Sequence, residues 1–196
     1  MIDLKIIKTF FSACLLFVSV FSFAQKVYNI RDYGAISDGK TVTTKAIQKT
    51  IDTCSNTGGG TVYIPTGTFV TGAIQLKSKV HLKLESGAIL KGSSQVADYL
   101  LNGVPQGMFY GEDITDVTIS GDGLIDGNGT SFFDATKLHD YIDFDKKYVR
   151  QGQGFFEALK PTQGPIAYKS RPGMLMVIMH SENIKLTGVK IIDSPS

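Results

Sequence analysis

After residue 25 the chain alternates apolar and polar positions in short runs. Residues 61–64, 68–71, 80–84, 88–92, 116–120, 124–126 and 184–192 place aliphatic or β-branched side chains at alternate positions, and Gly, Ser, Asp and Asn punctuate them. This spacing predicts strands. One segment follows a different period: Ile47, Ile51 and Cys54 fall at steps of four and three, and Gly58-Gly59-Gly60 ends the pattern, which predicts an amphipathic helix over about 43–55.

The strands also recur as a unit. Val80-His81-Leu82-Lys83-Leu84 is followed by Ala88-Ile89-Leu90, Val117-Thr118-Ile119 by Leu124-Ile125, and Ile184-Lys185-Leu186 by Val189-Lys190-Ile191-Ile192. A strand, a turn of small residues and a second strand is the repeat of a β-solenoid, in which each coil buries its inward side chains against the coils above and below. The same short strands also suit an antiparallel sandwich, and irregular repeat spacing leaves that alternative open. In a solenoid running from about residue 61, the helix near Ile47 and Ile51 caps the first coil, whose edge is otherwise unpaired. Two insertions interrupt the repeat, at about 95–112 and 130–169. The second carries Phe132, Phe133, Tyr141, Phe144, Tyr148, Phe155, Phe156 and Tyr168, so it either walls a sugar-binding cleft or packs on the solenoid flank. The chain stops at Ser194-Pro195-Ser196 directly after a strand-like run, so the solenoid is expected to be incomplete at its C-terminal end.

Composition adds little about partners. At 42% hydrophobic, 19% charged and net charge +2, with basic residues scattered, the chain lacks the basic patch of a nucleic-acid binder. The first residues change the destination. Lys5 and Lys8 precede an apolar run from Phe10 to about Phe21, and Ser22-Phe23-Ala24 supplies small residues before Gln25. This reads as a signal peptide over 1–24, because a membrane span needs roughly 20 apolar residues and this run is shorter. The mature protein, from residue 25, is therefore expected to be secreted or periplasmic and free of the membrane. Cys14 lies early in the apolar run, the wrong place for a lipid-attachment cysteine. Only Cys54 survives signal removal, so no intramolecular disulfide forms within the chain.

An ordered set of motifs then carries a resemblance. It runs through Asp32-Tyr33-Gly34-Ala35, Asp38-Gly39, Thr44 to Asp52, Gly58-Gly59-Gly60, Ile64-Pro65-Thr66-Gly67-Thr68-Phe69, Leu76-Lys77-Ser78 and Leu84-Glu85-Ser86-Gly87-Ala88. It continues through Lys91-Gly92-Ser93, Gly121-Asp122-Gly123, Ile125-Asp126-Gly127-Asn128-Gly129, Arg171-Pro172 and Asp193-Ser194-Pro195-Ser196. In this order they resemble glycoside hydrolase family 28, the polygalacturonases and rhamnogalacturonan hydrolases of the pectin-lyase-like superfamily. The resemblance implies an all-β fold, a right-handed single-stranded parallel β-helix with an N-terminal capping α-helix. It further implies an exported enzyme that hydrolyses galacturonide linkages of pectin with inversion, without a cofactor, as a monomer when full length. The expected partner is a pectic polysaccharide, homogalacturonan or rhamnogalacturonan.

The family's reactive signatures are Asn-Thr-Asp, an Asp-Asp pair, Gly-His-Gly and Arg-Ile-Lys, and none of the four is present in these 196 residues. No catalytic, cofactor-binding or metal-binding residue is therefore assigned, and the 196 residues alone are expected to be inactive. Inverting hydrolysis needs two spaced carboxylates. Asp122, Asp126 and Asp193 sit beside strand ends, where they are read as turn-capping groups. His81, His139 and His180 have no metal-ligand spacing. Asn128-Gly129-Thr130 matches a glycosylation acceptor too short to carry weight, and Arg171 is read as pairing with a carboxylate across coils. Two other functions stay open: a non-catalytic carbohydrate-binding or structural β-solenoid, and a pectin lyase.

Overall fold

Side chains alternating in and out along a short strand give it one apolar face, and here those faces are buried by winding the chain. In the computed structural model, which describes residues 26–132 and 172–194, the first coil holds β1 (Val27–Asn29) and β2 (Asp38–Val42), followed by the helix α1 (Thr44–Asn56). The second holds β3 (Gly60–Ile64), β4 (Gly67–Thr71) and β5 (Ile74–Gln75). The third holds β6 (Val80–Leu84) and β7 (Ala88–Gly92), then a small hairpin of β8 (Leu100–Leu101) and β9 (Val104–Pro105), then β10 (Phe109–Glu112). The fourth holds β11 (Thr115–Gly121), β12 (Leu124–Asp126) and β13 (Met176–Met179), and the fifth β14 (Glu182–Thr187) and β15 (Lys190–Ile192).

Corresponding strands stack in parallel. The first sheet runs β1-β3-β6-β11-β14, the second β2-β4-β7-β12-β15 and the third β5-β10-β13. With parallel crossovers wound right-handed, this is a right-handed parallel β-helix, not a sandwich. Inward columns pass up the stack in register: Val62, Leu82, Ile119 and Leu186 in the first sheet, and Phe69, Leu90, Ile125 and Ile191 in the second. Val62, Leu82, Phe69, Leu90 and Ile125 are wholly buried, each worth about 1.5–3 kcal/mol of apolar transfer.

The helix lies across the start of the stack, with Ile47, Ile51 and Cys54 fully buried against the first coils. Its far end leads into Gly58-Gly59-Gly60, all at positive φ. A Cβ on Gly59 would stand 2.5 Å from the Lys79 carbonyl and one on Gly60 2.5 Å from that of Lys26, so the chain crosses from helix to strand where no side chain fits. Gln48 does a second job. Its Oε1 accepts the Gln75 N–H at 2.8 Å while its Nε2 donates to the Gln75 carbonyl at 3.0 Å, so a helix side chain occupies the open edge of β5.

Three features depart from the expected pattern. Coils begin at Val27 and not near residue 61, because β1 and β2 are short, largely exposed strands with no apolar alternation to mark them. The second, third and fourth coils each have a third strand that the two-strand repeat did not include. Residues 109–112, expected as insertion, are β10 of that third sheet. Among the described residues no helix is long and apolar enough to cross a membrane.

Candidate functional site

The corner between the second and third sheets collects the extra structure. Residues 93–108 leave the coil there, between β7 and β10, and one coil later β12 is followed by the described residues 127–132, with residues 172–175 leading into β13. Close contacts hold this corner. Ser93 Oγ donates to the Asp98 carboxylate, and the Tyr99 hydroxyl donates to the Ser93 carbonyl at 2.9 Å. Burial pushes the Tyr99 phenol far above its usual range, with the Asp98 and Asp126 charges adding to the effect. The Tyr99 ring meets Phe132 edge-on at 6.4 Å, joining the first insertion to the start of the second.

The third sheet forms the wall beside that corner. Ile74 and Phe109 point inward and are wholly buried, which turns Gln75, Tyr110 and Val177 outward in one register row. The Tyr110 hydroxyl donates to Glu112 Oε2, and this hydrogen bond is the main cause of a phenol pKa above the ordinary value. His180 Nδ1 stands 3.9 Å from Glu112 Oε1. Such a phenol–carboxylate–imidazole surface can bind polar groups, but one carboxylate does not make the acid–base pair that glycoside hydrolysis uses.

The residues singled out from sequence are scattered around the coils. Asp126 Oδ1 accepts the Asn128 N–H at 2.9 Å, a turn-capping contact, whereas Asp193 accepts the Thr130 N–H at 3.1 and 3.2 Å and its hydroxyl at 2.8 Å, which ties two coils together and does not cap its own turn. Asp122 is exposed at the turn between β11 and β12. His81 lies on the outer face of the first sheet, its Nε2 2.6 Å from Ser120 Oγ. Burial, with the Lys83 charge, holds the imidazole pKa below its usual value. Asn128 spends its side-chain N–H on the Gly92 carbonyl at 3.0 Å. Pro172 is buried, while Arg171, His139 and the aromatic residues from Phe133 to Tyr168 lie outside the described residues. Among the described residues no three His, Cys, Asp or Glu side chains are grouped to hold a metal ion. Tyr110, Glu112 and Gln75 escaped the sequence reading because their strands are only two to four residues long.

A parallel β-helix with an insertion at the corner between its second and third sheets defines a class of proteins. The model of the rhamnogalacturonase A/epimerase, pectate lyase-like family matches residues 27–154, and the chain belongs to that family. It is similar to the exo-poly-α-D-galacturonosidase of Dickeya chrysanthemi, with 40% identity in a 121-residue alignment that covers 53% of this chain and 20% of that protein. Among solved structures it is similar to the Yersinia enterocolitica family 28 exopolygalacturonase, with a TM-score of 0.61 and 29% identity over 87% of this chain and 35% of that one. The Thermotoga maritima hyperthermoactive exopolygalacturonase aligns with a TM-score of 0.63 and 25% identity over 87% of this chain and 42% of that one. The chain thus spans between a fifth and two-fifths of the length of these relatives.

Proposed function

We propose that this chain forms the first coils of an exported hydrolase that cleaves galacturonide linkages in pectin, with inversion, through paired aspartates on coils that follow residue 196. The observation that carries this reading is the 40% identity with an exo-poly-α-D-galacturonosidase over 121 residues. The last described coil supports it. Leu186 and Ile191 are 43% and 40% exposed although their register partners Ile119 and Ile125 are 2% and 0% exposed, so this coil presents a surface shaped to receive another. The chemistry is assigned to later coils because Asp126 and Asp193 are committed to turn N–H groups. The signal-like residues 1–24 support export to the compartment where pectin lies.

The test is to read the DNA beyond codon 196 and express the whole frame. A continuing frame with paired aspartates is expected, and its product should release reducing sugar from polygalacturonate without unsaturated ends. Asn in place of either aspartate should lower kcat by roughly 10²–10⁴-fold. A stop codon at that point, or unsaturated products, overturns the reading, the latter in favour of a lyase.

A further inference from the structure

An open groove crosses the beginning of the stack, between the first turn of α1 and the hairpin that carries Leu100. Three large apolar side chains line it while remaining largely in water: Ile36 at 50%, Val42 at 43% and Leu100 at 45% exposed. Lys45 and Lys49 line it too, one helical turn apart on the exposed side of α1, with roughly 6 Å between their positions. Neither ammonium has an ion-pair partner among the described residues. Several other polar groups around the groove are already committed: the Thr44 hydroxyl to the Gly72 N–H, Gln48 to Gln75, and the Asp98 carboxylate to Ser93. Two unpaired cations beside an uncovered apolar surface therefore remain to meet a ligand, and this combination marks binding surfaces.

We infer that this groove docks a segment of acidic polysaccharide, whose carboxylates pair with Lys45 and Lys49 and whose sugar C–H faces pack on Ile36, Val42 and Leu100. The choice of a uronate polymer over other anions rests on the proposed function. The need for an anion with an apolar face rests on the groove alone. It lies on the first three coils, at least two coil spacings of about 4.8 Å from the last described coil of β14 and β15, so on the proposed function it anchors polymer away from the bond being cleaved.

Lysine footprinting of the complete protein tests this at the site itself. The protein is acetylated briefly on ice with and without polygalacturonate, and each lysine is quantified by mass spectrometry. Polygalacturonate should slow modification of Lys45 and Lys49 at least fivefold while exposed Lys40 and Lys83, which lie outside the groove, change less than twofold. Neutral galactan should protect neither pair, and polyglutamate, which offers carboxylates without sugar faces, should protect Lys45 and Lys49 at least threefold less. An Ile36→Asp, Leu100→Asp variant with unchanged circular dichroism should lose most of the protection. Equal protection of all four lysines, none at all, or equal protection by polyglutamate overturns the inference. So does protection that rises with protein concentration alone, which would make a second copy the occupant. Reducing-sugar release is measured separately: an active enzyme with an unprotected groove refutes the docking site only, and a protected groove on an inactive protein refutes the hydrolase only.

Discussion

Asp38 shows how much a single exposed side chain can organise. Its carboxylate accepts the N–H groups of Lys40 and Thr41 at 2.8 and 2.7 Å and the Thr41 hydroxyl at 2.7 Å, and these bonds, the Thr41 N–H foremost, bring its pKa down to about 2. A folded pKa below the unfolded value means that the contribution is present above about 3.8 and is lost as pH falls towards 2. Melting curves of the wild type and Asp38→Asn should therefore differ most at neutral pH and converge between pH 4 and pH 2. A gap that stays constant across that range would show that the carboxylate's charge is not what matters. Gly121 is constrained differently. Its φ is +119°, and a Cβ there would sit 1.9 Å from the Leu84 carbonyl of the coil below, so the two coils approach as closely as backbone permits. Gly121→Ala should cost about 3 kcal/mol in urea unfolding, because backbone of two coils must separate to admit one methyl group. A loss under about 0.5 kcal/mol would mean that the coils are free to shift.

At the scale of elements, the join between α1 and the third sheet depends on one amide. Gln48 presents a donor and an acceptor to Gln75 as a neighbouring strand would, and also donates to Asp52 Oδ1 at 2.9 Å. Gln48→Leu keeps the size but strands the Gln75 N–H and carbonyl, and should cost about 2–3 kcal/mol in the same assay. Gln48→Glu keeps only the acceptor and should fall between the two. An equal stability for all three would show that water satisfies this edge unaided. The contact also marks where sequence stops being informative. The helix and the strands of the first two sheets from β3 onward are legible because an apolar period persists over several turns of helix or, in the longer strands such as Val80–Leu84, over five residues. The third sheet is illegible by the same rule, since Ile74–Gln75 has no period and Phe109–Glu112 is flanked by residues that read as loop. Pairing of Gln48 with Gln75, 27 residues away, has no local signature at all. The candidate surface of Tyr110 and Glu112 inherits that silence. The motif resemblance reaches the architecture because turns such as Asp126-Gly127-Asn128 encode backbone geometry locally.

For the whole molecule, stacking makes each coil's core the responsibility of its neighbours. Wholly buried columns in the second and third coils give way to Leu186 and Ile191 at 43% and 40% exposure in the fifth. The edges of β14 and β15 on that side carry the backbone groups of parallel strands, which pair with whatever strand arrives. This makes opposite demands on the same side chains in two settings. In the 196-residue product expressed alone, Leu186→Lys with Ile191→Lys should reduce association in sedimentation and lower binding of a hydrophobic dye, because charge replaces an uncovered apolar surface. In the product of the complete frame, where a further coil is proposed to lie on that surface, the same pair should destabilise by about 3 kcal/mol or more, since two ammonium groups would be driven into a core without partners. A substitution pair that helps the short product and harms the long one follows only from coil on coil at this face. If the long product tolerates both lysines without loss of stability, Leu186 and Ile191 border solvent there as well, and the stack does not continue across them.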